Sequence, residues 1–202
     1  MENKSFTQTI KEPQNIIAIG VTIISICALV VSIMQTQIMS EQRALMHQHA
    51  KAEVWPRLAI GYTKSHEENS DKLTEFLLTL GNAGVGPAII TDVRVSYQGK
   101  PMKNWWDLFR AIGLPKEIPT YIGNIHINNS IARIGGHVTF LNLDENLPLA
   151  NFLWEKRADL KFEIWYNSIY GEKWKLTYVM GNGNTEEANP DFKLPPEEQF
   201  EN

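Results

Sequence analysis

The 202-residue sequence predicts a mainly β protein: an N-terminal transmembrane helix followed by an antiparallel immunoglobulin-like β-sandwich, with a small β-barrel as the alternative. Three observations predict this class. A run without any charged residue covers 16–34, short segments that alternate apolar and polar residues recur between 57 and 180, and turns containing glycine or asparagine separate these segments. The composition, with 43% hydrophobic and 21% charged residues, is typical of a folded chain and excludes a disordered or polytopic protein.

The transmembrane helix is predicted at 16–38, between a short polar N-terminus (1–15) and a juxtamembrane helix (39–54). With a rise of about 1.5 Å per residue, the uncharged part extends for about 28 Å, close to the ~30 Å hydrocarbon core of a bilayer. A secretory signal peptide has a shorter apolar region and a cleavage site of small residues, and no convincing cleavage motif follows this run. We therefore expect a retained single-pass helix in a membrane.

Apolar residues recur every seven positions from the predicted membrane span into the polar stretch that follows it. This series includes Ile38 and Leu45, and a neighbouring line of small residues contains Ser25, Ala28 and Ser32. A sustained seven-residue repeat favours packing against a partner helix, and small residues permit close helix approach in lipid. The pattern predicts a homo-oligomer formed through this helix. The alternative is that an apolar span matches the repeat by chance.

The β-domain is predicted at 55–183, because Pro56 disfavours helical backbone at the residue before it and ends the long helix. The strongly acidic segment 184–202 is poor in apolar residues and is predicted to be a disordered tail. Alternation and turn residues predict two short insert helices and a series of strands. The helices are expected at 105–112 and 147–157, and the strands at 57–63, 73–80, 88–97, 121–127, 137–143, 160–166 and 173–180.

Residues 78–90, LTLGNAGVGPAII, resemble an L-x-N-x-G-x-G-P-A-x-I pattern of small, uncharacterised bacterial single-pass membrane proteins with an N-terminal transmembrane helix and a C-terminal β-domain. Segments 93–101 and 166–174 are similar to hairpins of that family. The resemblance implies the same architecture, a bacterial inner-membrane location and a β-domain on the cytoplasmic side. It implies no catalytic residue. The Lys and Arg residues on either side of the span are nearly balanced and set no orientation by themselves.

No motif in the sequence predicts catalysis, a cofactor or a metal. The glycine-rich loop 81–87 leads through Pro87 into a strand, whereas a phosphate-binding loop opens a helix, so a tight corner is favoured. The single cysteine, Cys27, lies in the apolar run, and no histidine pair has zinc-ligand spacing. Basic residues form no cluster of the kind that binds nucleic acid.

The adjacent tryptophans Trp105 and Trp106 are the candidate binding feature. Neighbours on a helix point about 100° apart, so both cannot face one core and one should be exposed. Exposed tryptophan is typical of interface hot spots. Together with Arg110 on the same short helix, the pair predicts a binding groove, and the alternative is a lid over the edge of the sandwich.

Two functions remain from the sequence. The first is a membrane-anchored, non-enzymatic binding or scaffold module whose β-domain recognises a protein partner. The second is a small-molecule-sensing single-pass membrane effector of bacterial stress or phage defence that acts through helix clustering, and it rests on analogy of architecture. Arginine and a stacking tryptophan in a concave pocket would favour sensing, whereas a flat apolar patch would favour a scaffold.

Overall fold

The computed structural model of the protein describes residues 13–67, 73–190 and 194–201. Most of the predicted polar N-terminus (1–15) lies outside these residues. The chain forms two compact units, Met1–Ala50 and Lys51–Asn202.

The first unit is occupied, in its described part, by the helix α1 (Pro13–Glu53), whose last residues belong to the second unit. Its length and apolar composition suit a membrane span, or equally a signal sequence near the N-terminus. The hydroxyl groups of Thr22 and Ser25 donate to the carbonyl oxygens four residues earlier, at 2.9 and 2.8 Å. These polar side chains are therefore satisfied within the helix, as an apolar surrounding requires. The helix ends three residues before Pro56, in agreement with the restriction that proline imposes.

The second unit is built mainly from antiparallel strands. In chain order the described strands are β1 (Leu58–His66), β2 (Leu73–Asn82), β3 (Ala88–Tyr97), β4 (Lys100–Met102), β5 (Gly123–Asn124), β6 (Ile131–Ala132), β7 (His137–Asn142), β8 (Leu160–Asn167), β9 (Lys173–Val179) and β10 (Gly183–Ala188). One sheet has the order β1-β2-β7-β5 and the other β10-β9-β8-β3-β4, with β6 also paired to β3. The prediction of a mainly β chain with a long N-terminal apolar helix is confirmed.

The two sheets share one hydrophobic core. Buried and exposed side chains alternate along the strands, as in β2, where Phe76, Leu78 and Leu80 are buried. Phe140 on β7 contacts Phe162 on β8 at a ring-centroid distance of 5.8 Å, which joins the two sheets across this core. The core therefore lies between the sheets and not on their outer faces.

The sheets also meet at their edges, where β1 approaches β10. The side chain of Asn184 accepts a hydrogen bond from the Ile60 amide at 2.9 Å and donates to the Ile60 carbonyl at 2.8 Å. A side-chain amide thus takes the place of a strand residue. Among the described strands, no ladder of backbone hydrogen bonds joins β1 to β10. The two sheets therefore stay separate and do not close into the small barrel that was the alternative prediction.

Two short helices interrupt the strands, as the sequence predicts. Helix α2 (Trp105–Ala111) is capped by Asn104, whose side chain accepts from the Asp107 amide at 2.9 Å. Helix α3 (Leu147–Glu155) is capped by Asn146 in the same way, and a 3₁₀ turn (Arg157–Asp159) follows it. Asparagine at both N-caps satisfies amide groups that have no partner inside the helix.

The structure contradicts the predicted disordered tail wherever 184–202 is described. Strand β10 pairs with β9, and Leu194 and Phe200 are buried. All six residues of β10 are exposed. Its position therefore depends on backbone hydrogen bonds with β9 and on polar side chains such as Asn184 and Glu186, which an acidic composition does not predict. The predicted strand 121–127 is also reduced to the two residues of β5, and β1 extends into the predicted polar loop 64–72, of which 68–72 lie outside the described residues.

Candidate functional site

The two adjacent tryptophans of α2 point in different directions. Trp105 is 3% exposed and lies in the core, whereas Trp106 is 55% exposed. The ring of Phe109 contacts both indoles, and its centroid lies 6.4 Å from the ring centroid of Trp105 and 6.0 Å from that of Trp106. Trp106 is therefore exposed, as expected for one of two adjacent tryptophans on a helix. Trp105 does not line the predicted groove, because its side chain is part of the core.

The exposed tryptophan borders an open cleft of about 410 Å³, which we call the Trp106 cleft. It is formed by one side of α2 and by the chain that follows the helix. Its lining comprises Trp106, Phe109, Arg110, Leu114, Pro115, Lys116, Ile118, Pro119 and Thr120. The lining is largely apolar, with two cations. The side chain of Arg110 is 82% exposed and is therefore accessible to a ligand. Its Nη1 lies 3.5 Å from Oδ1 of Asp107.

Hydrogen bonds hold the second wall of the Trp106 cleft in place. The Leu114 amide donates to the Phe109 carbonyl at 3.0 Å, after a turn at Gly113, whose φ is +72°. The side chain of Asn146 donates to the Pro119 carbonyl at 2.7 Å and to the Tyr121 carbonyl at 3.1 Å. Hydrogen bonds within the protein therefore hold this wall in place, which lowers the cost of ordering the cleft on binding.

On the other side of α2, residues 194–201 form what we call the C-terminal strap. Phe200 packs edge-to-face on Trp105 with ring centroids 5.1 Å apart, and its amide donates to the Val93 carbonyl of β3 at 2.8 Å. The Gln199 side chain donates to the Asp92 carboxylate at 2.9 Å. Local sequence patterns do not predict these contacts, because the partners are separated by about half the chain.

Arg94 binds the C-terminal strap to the outer face of its sheet. Its Nη1 donates to Glu198 at 2.7 Å and its Nε donates to Glu163 at 2.7 Å. Burial by itself would raise the pKa of Glu163, but hydrogen bonds from Lys161 and Arg94, together with their charges, outweigh it and lower that pKa. Burial by itself would lower the pKa of Arg94, but hydrogen bonds to Glu163 and Glu198 and their charges outweigh it and raise that pKa. The contacts with Lys161 and Arg94 thus favour the ionised Glu163 carboxylate in the folded state.

The glycine-rich loop 81–87 is built around the buried side chain of Asn82. Its Nδ2 donates to the carbonyls of Gly86 at 2.8 Å and Ala132 at 3.0 Å, and its Oδ1 accepts from the amides of Gly84 at 3.0 Å and Arg57 at 3.2 Å. One side chain therefore fastens the loop to two other segments.

The loop also pairs with the chain that follows α1. The Val85 amide donates to the Trp55 carbonyl at 2.9 Å, and the Ala83 amide to the Arg57 carbonyl at 2.8 Å. Amides that a phosphate-binding loop would direct at its ligand are used here inside the protein. The geometry is that of a corner holding residues 54–57.

The hydroxyl group of Tyr166 is buried between strands, and its pKa is strongly shifted. Burial and a hydrogen bond with Glu186 raise its pKa well above the ordinary tyrosine value. Its ring stacks on Trp174, which stacks on Trp55 with centroids 6.5 Å apart. The hydroxyl also accepts a hydrogen bond from the Leu58 amide at 3.5 Å, so Tyr166 on β8 is joined to both β1 and β10.

A second aromatic and cationic feature surrounds Trp154 on α3. Lys64 Nζ lies 4.5 Å and the Arg157 guanidinium 4.6 Å from the ring centroid, and Tyr62 lies at 5.0 Å. We call these four residues the Trp154 cluster. Arg157 also donates to the Trp154 carbonyl at 2.8 Å, which fixes its position. No local pattern in the sequence predicts the cluster, because Lys64 is distant from Arg157 along the chain.

The predicted self-association residues are exposed on α1. With about 100° per residue, Ser25, Ala28 and Ser32 fall within a sector of about 60°. Ile38 and Leu45 lie about 80–100° beyond Ala28 on a straight helix. A left-handed supercoil, which follows the seven-residue repeat, would narrow this separation.

Among the described residues, no group of three or more His, Cys, Asp or Glu side chains is placed to hold a metal ion. No protein-family model, curated protein or solved structure matches the chain.

Proposed function

We propose that the protein is a membrane-anchored, non-enzymatic binding module whose β-domain recognises a protein partner through the Trp106 cleft. In this proposal α1 is a single-pass anchor in the bacterial inner membrane, and the β-domain is an immunoglobulin-like sandwich on the cytoplasmic side. The apolar length of α1 and the two-sheet architecture support the proposal.

The exposed indole of Trp106 is the observation that carries the proposal. Helix α2 is already fixed to the core by Trp105, Leu108 and Phe109, which are buried, so the fold does not require a second tryptophan at this position. Leaving a large apolar side chain in water forgoes about 25 cal/mol for each Å² that could be buried. A tryptophan at the edge of a preformed cleft regains this free energy when a partner covers it.

The lining of the Trp106 cleft indicates the chemistry of the partner. Its apolar floor suits a segment that inserts one or two aliphatic or aromatic side chains. Arg110 and Lys116 contribute positive charge beside that floor. A partner segment with a carboxylate next to its apolar anchor would therefore bind best, and the charges would mainly increase its association rate.

Co-purification from detergent-solubilised membranes tests this proposal. We expect Trp106→Ala to remove a bound protein that the wild-type chain retains, and Arg110→Glu to weaken its retention at low salt. Tyr170→Ala is the matched control, because it truncates another exposed aromatic side chain, in the turn between β8 and β9. Equal retention by the Trp106→Ala and Tyr170→Ala chains would contradict the proposal.

The Trp154 cluster favours the second function, small-molecule sensing that acts through helix clustering. Two cations held against one indole concentrate positive charge beside an aromatic surface, which suits a phosphate-bearing ligand. Inorganic phosphate and ATP are suitable probes. A rise in melting temperature with either probe, lost in Lys64→Ala and Arg157→Ala, would support sensing, and no shift at millimolar concentration would contradict it.

A further inference from the structure

The strap occupies a gap along the outer edge of β3. Strand β6 pairs with the first residues of β3, at Ala88 and Ile89, and β4 pairs with its last, from Val95 to Tyr97. Between these two partners the Val93 carbonyl accepts its hydrogen bond from the Phe200 amide of the strap. The strap thus contributes backbone pairing at a place where the sheet has no strand of its own among the described residues.

The Phe200 side chain is buried beside Trp105 and forms one wall of a small apolar cavity between the sheets, which we call the Phe200 pocket. Its other walls come from Trp105, from residues of β3, β7 and β8, among them Val95, Phe140 and Phe162, and from Ile125 and Ile127. Phe200 itself is 5% exposed. Two strap residues, Leu194 and Phe200, are buried, and of these Phe200 lines this pocket.

Phe200 does not complete the pocket. A residual cavity of about 20 Å³, large enough for one water molecule, remains beside it. The indole Nε1 of Trp105, a side chain that is 3% exposed, has no hydrogen-bond partner among the described residues. A buried donor without an acceptor costs free energy. A ligand that placed a hydrogen-bond acceptor next to Nε1 of Trp105 would therefore bind better than the strap does through Phe200.

These contacts are of the kinds by which proteins recognise peptides at a sheet edge, although the strap forms a 3₁₀ turn at Pro196–Glu198 before its backbone becomes extended at Gln199. There is a backbone hydrogen bond to Val93, an apolar anchor in a pocket, and an ion pair between Glu198 and Arg94 at 2.7 Å. The guanidinium selects a carboxylate two positions before the anchor. The charge and spacing of the seated strap thus define the peptide that the site accepts.

We propose that the edge of β3 together with the Phe200 pocket is a second peptide-binding site, and that the C-terminal strap is its internal ligand. The external ligand is a segment of a partner protein with an acidic residue two positions before an aromatic one, and it adopts the conformation of the strap, a 3₁₀ turn at Pro196–Glu198 followed by extended backbone at Gln199. It competes with the strap for Arg94 and for the pocket. This site is separate from the Trp106 cleft and does not depend on a partner binding there.

A labelled synthetic peptide with the sequence of 194–201, LPPEEQFE, tests the proposal on the full-length chain in detergent. The Phe200→Ala chain, in which the internal ligand lacks its anchor, should bind the peptide about tenfold or more tightly than the wild-type chain does. The peptide LPPEEQAE should lose this binding. Glu198→Lys, which weakens the strap without emptying the pocket, should also increase binding, and Trp106→Ala should leave it unchanged.

Three results would overturn the proposal. The first is the absence of peptide binding by both the Phe200→Ala and the Glu198→Lys chains while circular dichroism shows them folded. The second is equal binding by the wild-type and both variant chains, because the strap would then not compete. The third is equal binding of LPPEEQFE and LPPEEQAE, because the aromatic anchor would then have no role.

Discussion

Gly86 lies directly against the backbone of Val54, at the end of α1. A Cβ atom at position 86 would overlap the Val54 carbonyl group, and one on Gly84 would overlap the Trp55 carbonyl oxygen and the Arg57 amide. Gly84 and Gly86 of the loop 81–87 are therefore required by the close approach of two backbone segments. This requirement explains the most distinctive stretch of the sequence without a ligand.

Gly86→Ala should destabilise the second unit by about 1–3 kcal/mol, because the added methyl group forces the two backbone segments apart. The melting temperature of the full-length chain in detergent measures the effect. Gly61→Ala is the control, since a Cβ there would lie 3.4 Å from the Thr79 hydroxyl, an ordinary contact. Equal melting temperatures for the two variants would mean that loop 81–87 does not hold residues 54–57.

Asn82→Asp should be destabilising although it preserves size and shape. The two Nδ2 donors to Gly86 and Ala132 would be replaced by an oxygen facing two carbonyl oxygens in a buried place. The expected loss is about 1–3 kcal/mol or more, the cost of leaving buried polar groups unsatisfied. Chemical denaturation measures it, with Asn151→Asp on the exposed side of α3 as the matched control. A loss as small as that of the control would contradict the role of Asn82.

Acid should destabilise the second unit through Glu163. Its pKa is lowered in the folded state, so its contribution to stability is complete above the ordinary glutamate value of 4.5 and is lost as the pH falls through the lowered folded-state value. Melting temperatures measured from pH 6 downward test this. The Glu163→Gln chain should have a lower melting temperature than the wild-type chain at pH 6. Its melting temperature should then fall less than that of the wild-type chain as the pH is lowered. An unchanged acid profile in Glu163→Gln would show that other carboxylates control it.

Local sequence patterns predicted the strands well where one face of a strand is buried. The predicted bounds of 88–97 agree with β3, because Val93, Val95 and Tyr97 alternate with polar residues along it. The exposure of one of the two adjacent tryptophans also followed from helix geometry alone.

What the sequence could not predict depends on contacts between distant residues. The burial of Phe200 requires a pocket made by α2 and three strands, and nothing in the acidic sequence around it encodes that pocket. The Trp154 cluster likewise requires β1 and α3 to pack together. A charge-based interpretation of 184–202 therefore failed where a single aromatic anchor and backbone pairing outweigh polar composition.

Self-association through α1 stays a prediction with a direct test. Ser25→Leu together with Ala28→Leu should disrupt or shift cross-linked oligomers in native membranes, because large side chains prevent close helix approach. Leu45→Glu should weaken them by placing an unpaired charge in the interface. His47→Glu, about 200° around the helix from Leu45, is the control. Monomeric wild-type protein, or equal effects of the two glutamates, would contradict the predicted interface.

Site-specific photo-cross-linking in native membranes tests the central proposal most directly. A photo-reactive amino acid replaces Thr120, which lines the Trp106 cleft, in one chain and the exposed Lys100 of β4 in another, and membranes are washed with carbonate before illumination. We predict that both chains remain in the membrane fraction and that position 120 gives a discrete adduct with another protein, whereas position 100 does not. Release of the chain by carbonate, or the same adducts from both positions, would contradict a membrane-anchored module that binds its partner through the Trp106 cleft.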